Sequence, residues 1–104
     1  MIRHIVLFNL KSEITPADQE WLFSQMHKVL GGLPTVRRLA LGKAHLRLDE
    51  NGKPRRPSEF DWALSMEFDD AASLEQYSNH PDHRSLGAEI VKRAAVLKVL
   101  DFEG

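Results

Sequence analysis

The chain has 104 residues, 15 acidic and 14 basic, for a formal net charge of −1, and it has no cysteine. A chain of that length fits one compact domain, residues 1–104, with a core of moderate stability. The charge balance supplies no field to collect nucleic acid or anionic lipid. The lack of cysteine excludes disulfides, thiolate catalysis and cysteine-ligated zinc, and it fits a cytoplasmic setting.

Residues 2–10, IRHIVLFNL, are β-branched and aromatic and read as a strand. Alternation sends Ile2, His4, Val6, Phe8 and Leu10 to one face and Arg3, Ile5, Leu7 and Asn9 to the other. Both sets are largely apolar, so each face of the sheet needs cover. The run is too short for a secretion signal and is broken by His4 and Asn9, and no stretch approaches a membrane span. Thr15 and Pro16 mark a helix start, with Asp18 completing an approximate capping box. Leu22, Met26, Val29 and Leu30 form its apolar stripe, and Gly31-Gly32 with Pro34 ends it. His27 falls outside the stripe and reads as solvated; Trp21 and Trp62 read as core.

Residues 35–49 read as a second strand, in which Gly42 suggests a bulge or a close backbone approach. His45 shares a strand face with Lys43 and Arg47 and is expected at the dimer surface. Residues 50–59, ENGKPRRPSE, form a loop without apolar residues. Its Lys53, Arg55 and Arg56 suit an anion, but a solvated loop is the commoner outcome, and without interleaved aromatics it does not suit single-stranded nucleic acid. Residues 60–68 alternate cleanly as a third strand, with Phe60, Trp62, Leu64, Met66 and Phe68 on one face. A short helix capped by Asp69 or Asp70 follows, then a break at His80-Pro81, a further helix carrying Leu86, Ile90 and Val91, and a last strand over 95–102.

The order is βαββαβ, the ferredoxin-like α+β arrangement: an antiparallel four-stranded sheet with the helices on one face. Ile5, Leu7, Ala63 and some of Leu39, Leu41 or Leu97 are then left on the other face. A second copy of the same sheet is the simplest cover, so the expectation is a twofold homodimer, sheet against sheet, closing a dimeric α/β barrel.

The opening MIRHIVLFNLK, the segment MEFDDAASLEQY, the following HPDH and the closing VLDFE together resemble the stress-responsive A/B barrel (Dabb) family, over nearly the whole chain. The resemblance implies a dimeric α/β barrel. In a plant member that closes a linear polyketide into an aromatic ring, the active-site residues are a histidine on the first strand and a tyrosine and a histidine around the helix break. By motif position these fall on His4, Tyr77 and His83, with His80 matching the first histidine of the motif. Phe23, Trp62 and Leu86 are candidates to line an apolar ligand pocket beside them.

The residue types fit acid–base chemistry. A neutral imidazole can take and return a proton, and a phenol can hold a developing oxyanion. As an enzyme, the protein would abstract a proton beside a carbonyl with His83 as base, Tyr77 as oxyanion donor and His4 as orienting partner, a step that needs no cofactor. The bland reading stands beside it: His80 at a helix terminus, Tyr77 a core aromatic with a wet hydroxyl, His4 a hydrogen-bonded core residue. A metal site built from His4, His80 and His83 is disfavoured, because Pro81 disturbs the helix between the last two. Three functions stay open: a small-molecule binder, a cyclase- or isomerase-like enzyme, and a structural dimer with no ligand.

Overall fold

The computed structural model describes residues 1–56 and 58–104; Pro57, part of the loop expected at 50–59, lies outside the described residues. The elements run β1 (Ile2–Leu10), α1 (Pro16–Gln25), a π-helical turn (Met26–Leu30), β2 (Arg38–Lys43), β3 (Trp62–Phe68), α2 (Ala71–Asn79), α3 (Pro81–Arg93) and β4 (Ala94–Glu103). The strands make one antiparallel sheet in the order β2-β3-β1-β4, the ferredoxin-like arrangement. Among the described residues, no helix is long and apolar enough to cross a membrane.

Register decides which side chains meet, because residues directly opposite each other share a face. Val6 faces Leu64 and Val99, and His4 faces Met66 and Asp101. Ile2, Val6, Phe8, Leu64, Met66 and Phe68 are buried under the helices with Leu22, Met26, Leu30, Leu86 and Ile90. Each such side chain contributes roughly 1.5–3 kcal/mol relative to exposure. The same register corrects one expectation. Leu39 pairs with Met66, Leu41 with Leu64 and Leu97 with Phe8, so all three lie on the helix side. The open face instead carries Ile5, Leu7, Ala63, Val96, Leu100 and Phe102, with Leu100 62% and Phe102 43% exposed.

The helix ends follow the sequence closely. Thr15 Oγ1 accepts from the Asp18 amide at 3.1 Å, with Pro16 in the first turn. The Asp18 carboxylate does not complete a capping box: it accepts from Arg93 Nε at 3.0 Å and so ties α1 to the end of α3. Trp21 is not core; it is 43% exposed and lies under the Arg93 guanidinium at 4.8 Å. Past Gln25 the helix widens, with the Gly31 amide donating to the Met26 carbonyl five residues back, and Met26 and Leu30 remain buried through this turn.

β2 is shorter than the alternation suggests. After Lys43 the chain leaves the sheet as an excursion closed by a Leu48–Pro54 bridge. The Asp49 carboxylate turns it by accepting from the Asn51 and Lys53 amides, and Gly52, at φ 77°, supplies the left-handed residue there. Gly42 marks neither a bulge nor a close approach: its pairing with Ala63 is regular, and an added Cβ meets nothing within 4 Å. The bulge falls between β1 and β4, at Asn9–Leu10.

Candidate functional site

His4 stands on the helix-facing side of β1, and Asp101 is its direct cross-strand neighbour on β4. Their side chains meet: His4 Nδ1–H donates to Asp101 Oδ1, since a carboxylate there can only accept. The ring packs edge-on against Phe68 and against Tyr77, centroid distances 6.3 and 5.8 Å. Tyr77, on the last turns of α2, is 3% exposed and lies 4.3 Å, centroid to centroid, from His83 near the start of α3. His4, Tyr77 and His83 therefore form one contiguous aromatic group, drawn from the two ends of the polypeptide.

All three line a cavity of about 390 Å³. Its remaining wall is mostly aliphatic: Val6 and Leu64 from the sheet floor, Met26 and Leu30 from the π-helical turn, and Ile90 and Val99 from α3 and β4. Gly87 leaves space on α3, where an added Cβ meets nothing within 4 Å.

Electrostatics set the protonation states. Burial pushes the Tyr77 phenol well above its usual range, and the Asp101 carboxylate pushes it further the same way. Tyr77 is therefore a hydrogen-bond donor at any physiological pH. Burial lowers the proton affinity of His83 below its ordinary 6.5; a hydrogen bond to the Ser78 carbonyl works against this, and the charges of His4, Arg84 and His80 add to the lowering. That hydrogen bond, Nδ1 to Ser78 O at 3.0 Å, fixes the tautomer. A carbonyl only accepts, so Nδ1 carries the hydrogen and Nε2 keeps its lone pair. The wall thus offers one acceptor base, one donor phenol, and one imidazole oriented by a carboxylate.

The other expected ligand residues are not brought to this cavity. Phe23 packs edge-on against Trp62 at 4.7 Å, and Trp62 pairs with Phe8, four residues along β1 from His4 and so roughly 13 Å away. Leu86 is packed into the core. His80 caps α3: its Nδ1 accepts from the Asp82 amide at 3.1 Å, and its ring lines a separate hollow with Leu33 and Gln76. His27 is exposed, as read. His45 lies beyond the end of β2 in an exposed hollow with Arg47, Arg55 and Arg56. Asp101 lies within the VLDFE segment, whose resemblance assigns it no role; it alternates in phase with Leu97 and Val99 on the helix-facing side of β4, which is where His4 meets it.

The family model for the stress responsive A/B barrel domain, Dabb, matches residues 2–103. The chain belongs to that family. It is 30% identical to the uncharacterized protein SCO4036 of Streptomyces coelicolor, with 99% of each covered. Among solved structures, it is similar to a dimeric ferredoxin-like protein of unknown function from Thermobifida fusca (26% identity, TM-score 0.78, 99% of this chain and 90% of that one). The hydroxynitrile lyase of Passiflora edulis shares the fold at 18% identity, with a TM-score of 0.82 and coverage of 97% and 90%. As a Dabb domain, the chain is a four-stranded antiparallel sheet flanked by helices, and the His4–Tyr77–His83 cavity lies between the two layers.

Proposed function

We propose that this Dabb protein is a cytoplasmic homodimer that binds a small apolar or carbonyl-containing molecule in the cavity between helices and sheet. The observation that carries the reading is the cavity wall itself: His4, Tyr77 and His83 converge on a space otherwise lined by aliphatic side chains. Ligand sites are commonly of this kind, largely apolar with a few convergent polar groups. The sheet-against-sheet dimer is supported by the exposed apolar residues Val96, Leu100 and Phe102 and by the dimeric Thermobifida fusca relative. The cytoplasmic setting rests on the absence of cysteine.

Acid–base turnover at the same site is a second reading, favoured by the His83 tautomer. Its Nε2 lone pair is available to take a proton beside a carbonyl, while the Tyr77 hydroxyl donates to the oxygen on which charge develops and His4 holds the opposite wall. The Passiflora edulis relative is a lyase on this fold, which supports considering catalysis without naming a substrate.

Calorimetric titration with a neutral apolar probe, decan-1-ol, tests the binding reading. Saturable binding to the wild type that Gly87→Leu removes is the expected result; no saturable binding would sink it. Turnover is tested separately with His83→Ala, which should abolish any conversion of a carbonyl substrate while leaving the fold intact.

A further inference from the structure

Arg84 stands at the cavity wall one residue after His83. Its guanidinium donates to Asn79 Oδ1 at 3.2 Å, a neutral acceptor. Asn79 in turn donates to Glu75 at 3.3 Å, so the nearest acid in this chain of contacts orients the arginine through an amide and does not pair with it. Arg3, Arg37 and Arg93, by contrast, each hold a carboxylate directly, on Glu67, on Asp69, and on Asp18 and Glu89. Among the described residues, none of the side chains lining the cavity is a carboxylate, and the one at its margin, Asp101, is already bonded to His4 on the opposite wall. Arg84 is also among the charges that disfavour protonation of the adjacent His83.

Resting on the cavity-binding reading, we propose that the ligand is a small monocarboxylate with an apolar body, its carboxylate on Arg84 and its body along the aliphatic wall towards Tyr77. At about 30 Å³ per water-sized group, a space of about 390 Å³ holds about a dozen non-hydrogen atoms. A guanidinium fork matches a carboxylate in plane and is less strongly hydrated than an ammonium, and Arg84 presents it from the exposed rim of the cavity. A neutral or cationic head would leave the arginine with its neutral Asn79 acceptor and no anion.

The test compares decanoate, decan-1-ol and decylamine by calorimetry near neutral pH, each below its aggregation threshold. The wild type is expected to bind decanoate on the order of tenfold more tightly than decan-1-ol, the lower range for a charged hydrogen bond. Arg84→Gln should erase that preference, Arg84→Lys should keep part of it, and Arg84→Glu should turn it towards decylamine. Circular dichroism establishes that each variant is folded, and any one folded charge variant suffices to decide. Equal wild-type affinity for the acid and the alcohol overturns the Arg84 assignment and leaves the cavity reading standing, as does a decanoate preference that survives Arg84→Glu. Failure of all three probes to bind overturns both.

Discussion

Replacing Gly87 with leucine tests the cavity by its effect on stability as well as on binding. Leucine adds four carbons to a face of α3 where a methyl group meets nothing within 4 Å. At about 30 Å³ per group they take roughly 120 Å³, near a third of the cavity of about 390 Å³. Glycine in a helix interior costs about 0.8–1.0 kcal/mol relative to a good helix former. Partial burial of the new side chain against Ile90 and Val99 adds up to about 1 kcal/mol. The variant should therefore be about 1–2 kcal/mol more stable. For a domain near this size, each kcal/mol is a rise of about 4–8 °C in Tm. Thermal unfolding followed by circular dichroism reads the shift, and calorimetry reads the loss of decan-1-ol binding on the same sample. A fall in Tm would refute the reasoning, because it would mean the space is already filled and the leucine overpacks it, at a typical cost of about 1–3 kcal/mol.

Three further outcomes follow from the geometry. If the chain pairs sheet against sheet as proposed, Leu100→Glu, on the open sheet face where the wild-type side chain is 62% exposed, should give a folded monomer; an unchanged light-scattering mass would contradict that pairing. Below pH 6.5, His83's ordinary value, the unfolded chain takes up a proton that the folded chain, its affinity lowered, does not; urea unfolding should show stability falling with pH in this window, and the slope should be shallower in His83→Gln. Equal slopes in the two proteins would remove His83 as a buried neutral base. Asp70→Ala deletes the carboxylate that accepts from the Ser73 amide at 2.8 Å, and denaturant unfolding should register a loss of about 1 kcal/mol, typical of a helix cap.

The fold was legible because its punctuation is local. Thr15-Pro16, Asp70 and His80-Pro81 each start a helix where they stand, and clean alternation in β3 names its buried face without knowledge of partners. What could not be read was what depends on register. Leu39, Leu41 and Leu97 are indifferent leucines until pairing with Met66, Leu64 and Phe8 assigns their side of the sheet. Asp101 joins His4 for the same reason, across 97 positions of sequence. The excursion after Lys43 was lost differently. Its residues keep a strand-like composition, but the Asp49 turn and Gly52 fold it back on itself away from the sheet. Of the four residues carried by motif resemblance, His4, Tyr77 and His83 share the cavity and His80 caps α3, while the aromatics expected as apolar lining, Phe23 and Trp62, pack against each other away from it.

The break in the second helix does more than change its direction. In an uninterrupted helix the Tyr77 carbonyl would accept from residue 81 and the Ser78 carbonyl from residue 82. Pro81 has no amide hydrogen, and the Tyr77 carbonyl accepts instead from His80 N at 3.1 Å. The Asp82 amide is taken by His80 Nδ1, the cap of the next helix. Ser78 O is thereby left without its helical donor, and His83 Nδ1–H occupies it. The orphaned carbonyl is what holds the hydrogen on Nδ1 and leaves Nε2 free to accept. In the run His80-Pro81-Asp82-His83, the first histidine and the proline together release the backbone group that sets the tautomer of the second histidine. Had the helix run on through residue 81, the same imidazole could stand at the same wall with its proton on either nitrogen.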